Sequence, residues 1–173
     1  MKFLVDGMLG KLTRWLRMLG QDVLYSVQLG DSELLELAKK EDRILLTKDF
    51  ELYKRATGRG LDTYYVEGKT ESERLAEVSK RFNLQLTIDM AESHCPICNT
   101  KLNSVPKEQL QSELEKNTFT YYDKFWKCPN CGQIYWQGAH WKQINNTLDQ
   151  AQAKLQKLKR KIEAQDSHFN GIS

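Results

Sequence analysis

Long apolar runs are missing from this chain of 173 residues, whose mean hydropathy is −0.63. No run approaches the roughly 20 residues that a membrane-spanning helix needs. The first residues, MKFLVDG, place only three apolar side chains between Lys2 and Asp6, too few for the core of a secretory signal. We therefore expect a soluble protein of a reducing compartment, located in the cytoplasm, with no membrane partner.

Net charge is also small, at +3, and does not by itself indicate a nucleic-acid-binding protein. Its distribution is uneven, because residues 1–90 hold 15 Lys and Arg against 15 Asp and Glu, and residues 91–173 hold 11 against 8. Between Lys142 and Lys161 six cations accompany a single acid, Asp149. This basic segment is either an RNA contact or an ordinary solvated helix face.

Cysteine is absent from the first 94 residues, and the chain has neither internal repeats nor low-complexity tracts. Residues 1–90 alternate short apolar runs with amphipathic segments, as is typical of an α/β domain with a mostly parallel sheet. A change of composition near residue 90 predicts a second unit over 91–140, with a helical insert at 105–117, and then a basic helix and tail over 141–173. The first unit is predicted to contain strands over 2–5, 22–26, 43–47 and 62–66. Helices are predicted over 8–19, 50–57 and 70–82, with a further helix capped by Asp31 or Ser32.

Two C-x-x-C pairs, Cys95/Cys98 and Cys128/Cys131, are separated by 29 residues. A two-residue spacer lets both thiolates of a turn face one ion, so two such turns form a tetrahedral four-thiolate Zn²⁺ site. A closed site of this kind is structural. Alternatives are two disulfides, unrelated buried thiols, or replacement of one ligand by His94 or His140, and His140 could equally pack or contact nucleic acid.

Three carboxylates follow the predicted strands, Asp6 after the first, Asp31 after the second and a loop, and Asp49 after the third. In an open α/β sheet ligands bind beyond the carboxyl ends of the strands. Three acids at one edge repel each other unless a cation lies among them, and their oxygens suit Mg²⁺ or Mn²⁺, which can support phosphodiester hydrolysis. As alternatives, Asp31 and Asp49 are helix caps and Asp6 belongs to an Asp-Gly turn, while Glu33 could add to or replace Asp31 as a ligand.

Lys11, Arg14 and Arg17 are spaced by three on the first predicted helix. Beside the acidic edge they could hold backbone phosphates, or they could form a solvated face. Trp15 in the same helix is expected in the core. Most aromatic residues of FTYYDKFWKC and QIYWQGAHW are expected to pack the cysteine-containing unit, with one or two available to stack on bases.

The blocks FLVDGMLGKLTRWLRMLG, DSELLELAKKEDRILLTKD, CPICNTKL and CPNCGQIYWQGAHW resemble the signature blocks of the mutator-seven C-terminal (Mut-seven-C) RNase domain family, over about residues 1–145. The resemblance implies a PIN-like, metal-dependent nuclease acting on RNA, with an appended zinc ribbon. It implies catalytic acids at Asp6, Asp31 and Asp49, ribbon zinc ligands at the four cysteines, and RNA contacts at Lys11, Arg14 and Arg17. The family's common Arg in its LLTRD block is Lys48 here, which keeps the charge but loses the planar fork.

The sequence therefore predicts a ribonuclease that uses Mg²⁺ or Mn²⁺ at Asp6, Asp31 and Asp49. Lys48 and the cations of the first helix would contact RNA, and the zinc ribbon and the basic segment would help to hold it. A non-catalytic RNA- or ribonucleoprotein-binding module is the alternative, in which the acids only cap helices. A toxin of a toxin–antitoxin pair is a third possibility within the nuclease class.

Overall fold

A parallel sheet of four strands, in the order β2-β1-β3-β4, organises the first half of the protein. The structure, a computed structural model, describes the backbone of residues 1–169 and the side chains up to residue 161. The predicted tail beyond residue 169 lies outside the described residues. The mostly parallel sheet and its four strands are confirmed, with ends that differ from the predicted ones by at most one residue. The strands are β1 (Lys2–Val5), β2 (Asp22–Tyr25), β3 (Ile44–Thr47) and β4 (Thr63–Tyr65).

Helices cover both faces of this sheet because neighbouring strand residues point to opposite sides. Phe3 and Val5 lie in one buried cluster with α1 and α4, while Leu4 lies in a second cluster with α2 and α3. The α4 helix begins as predicted, since Thr70 and Glu73 form a capping box at its first turn. The helices are α1 (Gly10–Met18, preceded by a 3-10 turn at Gly7–Leu9), α2 (Asp31–Glu41), α3 (Phe50–Gly58) and α4 (Glu71–Phe82).

The antiparallel sheet of the second unit contains β5 (Asn103–Val105), β6 (Phe125–Lys127) and β7 (Ile134–Tyr135). The prediction of one helix over 105–117 is wrong. Val105 pairs with Phe125, and the residue before a proline is biased toward extended backbone. After Pro106 the insert forms only a 3-10 turn (Lys107–Leu110) and a short helix, α5 (Lys116–Tyr121).

The last helix, α6 (Trp141–Phe169), packs along α4. Leu148, Ala151 and Leu155 are buried in the same cluster as Phe3 and Val5. Burial of a leucine side chain contributes about 1.5–3 kcal/mol, so this contact ties the basic segment to the first sheet. None of the helices in the described part of the chain is long and apolar enough to cross a membrane.

Candidate functional site

Asp6 stands at the carboxyl end of β1 and is only 5 % exposed. Its Oδ1 accepts a hydrogen bond from the Met8 backbone N–H (2.8 Å). Its Oδ2 accepts from the Thr47 hydroxyl and from the Lys48 backbone N–H (3.2 Å). Three donors from two adjacent strand ends therefore fix the orientation of this carboxylate. Two carboxylate oxygens offer about four lone-pair positions, so acceptor capacity remains.

Asp49 lies at the same sheet edge, two residues after β3 ends. Its backbone N–H donates to the Thr47 hydroxyl (2.8 Å), which in turn donates to Asp6. Its Oδ1 accepts from the backbone N–H groups of Glu51 (2.8 Å) and Leu52 (3.0 Å), so Asp49 caps α3. The structure thus brings Asp6 and Asp49 together through one hydroxyl group and also gives Asp49 the capping role that the sequence left open.

Asp31 is the first residue of α2, and the prediction that Asp31 or Ser32 caps this helix is wrong. Gly30 occupies the cap position with extended backbone, and the Glu33 carboxylate accepts from its N–H (2.8 Å). The Asp31 carboxylate instead pairs with Arg55 of α3, at 2.8 Å. Arg55 also donates to the Ser32 hydroxyl (3.1 Å). Asp31 is therefore held toward α3, the helix that Asp49 begins, by a guanidinium group.

The three acids do not form a compact ligand cluster. In the part of the chain that the structure describes, the four cysteines bring their sulfur atoms close enough together to hold one metal ion. The three acids do not form such a group. Asp6 and Asp49 share an edge, and Asp31 is occupied by Arg55. Binding of Mg²⁺ or Mn²⁺ by these three side chains stays a prediction.

A cleft of about 760 Å³ opens beside Asp6, starting at Met8. Lys11 and Arg14, two cations of the predicted stripe, are exposed along it. Lys69 and Arg74, which sequence reasoning missed, line the same cleft. Glu71 lines it too and pairs with Arg74 at 2.6 Å, so the cleft is basic on balance. Asp6 does not line the cleft but accepts a hydrogen bond from Met8, which does.

Arg17, the third cation of the stripe, has different contacts from those expected. It is 7 % exposed, and its guanidinium donates twice to the Val23 carbonyl, at 3.0 and 2.8 Å. It also donates to the carbonyls of Pro96 (2.9 Å) and Ile97 (3.1 Å), in the first C-x-x-C turn. Burial lowers the pKa of Arg17, and the charge of the nearby Cys95 and Cys98 sulfurs partly offsets this lowering. Arg17 joins α1, β2 and the cysteine turn.

Lys48 lies between Asp6 and the rim of the cleft. Its Nζ donates to the Gly68 carbonyl (3.2 Å), directly before Lys69. The Glu77 carboxylate accepts from the Gly68 backbone N–H (2.8 Å), and burial raises the pKa of Glu77. Lys48 therefore stabilises the loop that presents Lys69 to the cleft.

The sulfur atoms of Cys95, Cys98, Cys128 and Cys131 all lie within 4.8 Å of one another. The closest pairs are Cys95 to Cys131 at 3.6 Å and Cys98 to Cys128 at 3.3 Å. A tetrahedron with Zn–S bonds of about 2.3 Å has edges of about 3.8 Å, so the quartet fits one Zn²⁺. The fold prediction of an α/β sheet followed by a small zinc ribbon and a terminal helix is confirmed.

The two cysteine turns have the same backbone geometry. Asn99 and Gly132 each follow the second cysteine of a pair, with positive φ of 69° and 75°. Backbone N–H groups of these residues return to the carbonyls of Cys95 (2.9 Å) and Cys128 (3.0 Å). Glycine and asparagine adopt this conformation with little strain, which lets each turn close around a metal ion.

Neither histidine beside the ribbon belongs to the ligand group of the described residues. His94 and His140 instead line a pocket with Trp136 and Trp141. Burial lowers the pKa of His94. Burial and the Cys95 sulfur, 3.1 Å from the hydroxyl, raise the pKa of Tyr135, so this hydroxyl stays protonated and donates to sulfur.

Sequence reasoning missed Thr47 and Arg55, which hold two of the acids. Thr47 had a usable signal, because a threonine that ends β3 pairs across the sheet with the residues after β1. Arg55 had none, since its partner is 24 positions away on another helix. Lys69 and Arg74 reach the cleft only through the placement of α4 against α1.

No curated protein and no solved structure shows significant similarity to this chain. Residues 1–148 match the family described as the Mut7-C RNAse domain. The match covers the parallel sheet, the three acids, both cysteine pairs and the start of α6, and it supports a nuclease-type function. With 148 of its 173 residues matched, the chain belongs to the Mut7-C RNAse domain family.

Proposed function

We propose that this protein is a metal-dependent ribonuclease that hydrolyses RNA phosphodiesters at the edge formed by Asp6, Asp31 and Asp49. The observation that carries the proposal is the Thr47 hydroxyl, which links the Asp6 carboxylate to the Asp49 backbone N–H at one edge of the sheet, in a chain of an RNAse domain family. Asp6 also caps the 3-10 turn at Gly7–Leu9, which accounts for the Met8 donor, whereas the two donors from Thr47 and Lys48 come from the neighbouring strand end.

Mg²⁺ or Mn²⁺ would be held by the oxygens of Asp6, Asp31 and Asp49, since such ions prefer hard oxygen ligands. When bound, the ion would help a water molecule to attack phosphorus and would stabilise the leaving oxygen. The protein's own contribution is orientation, because Thr47 and the Lys48 backbone N–H hold Asp6 in place. Arg55 offsets the charge of Asp31 and has to share or release it for the third ligand to become available.

The substrate would lie in the basic cleft. Lys11 and Arg14 are exposed there and suit backbone phosphates, which bind cations whatever the base sequence. Lys69 also lines a neighbouring groove between α4 and α6, where Lys154, Lys157 and Lys161 of the basic segment contribute. This groove is mixed in charge, because Glu67, Glu73 and Glu77 line it beside the lysines and Lys154 pairs with Glu73 at 3.2 Å, so the proposed RNA contact rests on the cleft.

The zinc ribbon would stabilise one wall of the cleft and do no chemistry. Its four thiolates complete a closed shell, which leaves no position for a reacting water. Pro96 and Ile97 of the first cysteine turn line the cleft next to Arg17. Zinc would therefore preserve the shape of the RNA-binding surface.

Asp49→Asn tests the proposal without removing the helix cap, because asparagine caps helices as well as aspartate does. We expect cleavage of a labelled RNA in Mn²⁺ to fall about 100-fold or more, while the melting temperature and one zinc per chain are retained. Asp6→Asn should lower cleavage in the same way. It should also lower the stability of the protein, because the amide N–H groups would face hydrogen-bond donors that now meet carboxylate oxygens.

Asp42→Asn is the matched control. Asp42 is exposed and has left-handed backbone, which asparagine tolerates well, and it ends α2 away from the acids. It should cleave RNA like the unmodified protein. If Asp6→Asn and Asp49→Asn also cleave at the unmodified rate, with contaminating nuclease excluded, the proposal is wrong.

A second function, a non-catalytic RNA-binding module, is favoured by one observation: Asp49 caps α3 and Asp31 pairs with Arg55, so both acids have structural partners. This function predicts RNA binding with a steep salt dependence and no need for divalent ions. Tight binding in chelator, with no cleavage of varied RNAs in Mn²⁺, would support it over the nuclease.

A further inference from the structure

A pocket of about 270 Å³ lies where the zinc ribbon meets the start of α6. Its walls are mostly apolar and aromatic, with Tyr135, Trp136 and Trp141 half-buried and His140 exposed at the rim. The Trp136 ring is held from outside, since Tyr122 and Phe125 lie 6.5 and 6.3 Å from it. Aromatic rings that are fixed but partly open provide flat surfaces for another planar group.

One polar atom lies buried behind the wall of the pocket. His94 lines the pocket, and His94 Nδ1 is buried without a hydrogen-bond partner among the described atoms. A neutral imidazole has one donor and one acceptor nitrogen, and leaving such an atom buried and unpaired is costly. This atom is closed off from the open space of the pocket, so a ligand can contact only the exposed part of the His94 ring.

The basic cleft and this pocket are neighbours. Pro96 lines both, and Ile97 beside it is 63 % exposed. Along α1, Arg14 lines the cleft while Met18, one turn further, lines the pocket. A chain whose phosphates follow Lys11 and Arg14 is thereby led to the pocket mouth.

We propose that this pocket, named here the aromatic pocket, binds one unpaired RNA base, stacked on Trp136 and Trp141. The inference rests on the proposed RNA-binding cleft and extends it. Stacking is tolerant of base identity because every base has a π face, so the pocket selects single-stranded RNA more than a particular sequence.

The geometry gives the bound base a position relative to the acids. From Gly10 to Met18 the α1 helix rises about 12 Å, at 1.5 Å per residue. The base in the aromatic pocket would therefore lie about 12 Å along α1 from the phosphate nearest Asp6. Duplex RNA, whose bases are paired and stacked, cannot supply a free base at that position.

Photo-crosslinking in buffer without added Mg²⁺ or Mn²⁺ tests the proposal without any need for cleavage and leaves the zinc in place. The probe is an oligouridine RNA with a single 5-iodouridine moved along the strand. We expect crosslinks to peptides that contain Trp136 or Trp141 at one preferred RNA position. Crosslinks that map only outside the aromatic pocket overturn the proposal.

Affinity measurements with Trp136→Leu give a second readout. Leucine keeps an apolar side chain but removes the stacking surface, so RNA affinity should fall about 5- to 150-fold. Trp126→Leu is the matched control, because Trp126 is half-buried in the same ribbon but does not line the pocket, and its affinity should stay within about twofold. Equal affinities of the two variants, each shown to hold one zinc, overturn the proposal.

An abasic site in the RNA separates stacking from a general loss of structure. At the crosslinking position it should weaken binding to the unmodified protein and have little further effect on Trp136→Leu. Crosslinking to the pocket without cleavage in Mn²⁺ contradicts only the proposed nuclease function. Cleavage without pocket crosslinks contradicts only the aromatic pocket, and absence of RNA binding contradicts both.

Discussion

Arg17→Met is the substitution that best distinguishes a structural cation from an RNA-binding one on α1. Methionine keeps an unbranched apolar stem but removes four hydrogen bonds, two to the Val23 carbonyl and one each to those of Pro96 and Ile97. The Arg17 side chain is 7 % exposed, so water replaces these donors poorly. The variant should loosen the contact between β2 and the first cysteine turn.

The magnitude follows from the burial of each acceptor. Loss of a charged donor to the buried Val23 carbonyl costs about 1.5–3 kcal/mol. The Pro96 and Ile97 carbonyls are nearer the surface and cost about 0.5–1.5 kcal/mol each. We expect the free energy of unfolding to fall by about 2.5–6 kcal/mol. The free energy of unfolding of Arg17→Lys should lie between those of Arg17→Met and the unmodified protein, because an ammonium reaches one carbonyl but lacks the planar fork.

Arg14→Met is the matched control, one turn earlier on the same helix. Arg14 is exposed in the basic cleft, so its removal should change the free energy of unfolding by no more than about 0.5 kcal/mol. It should instead weaken RNA binding and flatten its salt dependence by about one phosphate contact. Urea unfolding followed by tryptophan fluorescence, zinc release to a chelating dye and RNA titrations at several salt concentrations measure these effects.

The two variants should differ in what they change. Arg17→Met should lower stability and speed zinc release, whereas Arg14→Met should lower RNA affinity. If Arg17→Met unfolds within about 0.5 kcal/mol of the unmodified protein and releases zinc at the same rate, the structural role is wrong. A loss of RNA affinity by Arg17→Met in a fully stable protein would restore the phosphate contact that the sequence predicted.

Three further predictions concern stability. Hydrogen bonds from the backbone N–H of Thr70, from Lys154 and from the backbone N–H of Lys69 lower the pKa of Glu73 to about 2. The contribution of Glu73 to the free energy of unfolding is therefore complete above pH 4.5 and is lost as the pH falls toward 2. Glu73→Gln should remove this acid dependence, measured by urea unfolding. Leu155→Ala should lower the free energy of unfolding by about 2–5 kcal/mol, since Leu155 is buried against α4. Asn99→Asp should lower it by about 1–3 kcal/mol, because the Asn99 amide donates to the Asp22 carboxylate at 2.6 Å and a second carboxylate there is repelled.

Each of these variants has a control in the same element or unit. Glu92→Gln, at an exposed surface pair, should leave the acid limb of the unfolding curve unchanged. Lys157→Ala on the exposed side of α6 and Asn103→Asp at the exposed edge of β5 should each stay within about 0.5 kcal/mol. Equal losses in variant and control would mean that the named contact is not the cause.

The parallel sheet could be predicted because its signal is local. Each strand is a short apolar run between a helix end and a turn, and the capping box at Thr70 and Glu73 marks α4 directly. The insert between the cysteine pairs could not be predicted in the same way. Its register depends on Val105 meeting Phe125, a contact across 20 positions that no local pattern encodes.

The stripe of cations on α1 shows how a spacing can mislead. At 100° per residue, three positions fall 60° short of a full turn, so Arg17 lies about 120° around the helix from Lys11. That rotation places Arg17 in the wall of the cleft where the first cysteine turn packs. Spacing by three therefore covers two different environments: Lys11 and Arg14 are exposed in the cleft, where phosphate binding is proposed, and Arg17 is hydrogen-bonded to the first cysteine turn.

The three acids were also predicted from local sequence signals, but the groups that hold them come from distant parts of the chain. Like charges gathered at one edge need compensation, and the sequence argument expected a metal ion to supply it. The protein supplies part of it by other means, since Thr47 and backbone N–H groups hold Asp6 and Asp49 while Arg55 holds Asp31. An incoming divalent ion therefore competes with Arg55 for Asp31 and with no cation at Asp6 or Asp49 among the described contacts. In the proposed site the first two acids would meet an ion without displacing a cation, while Asp31 would first have to share its contact with Arg55.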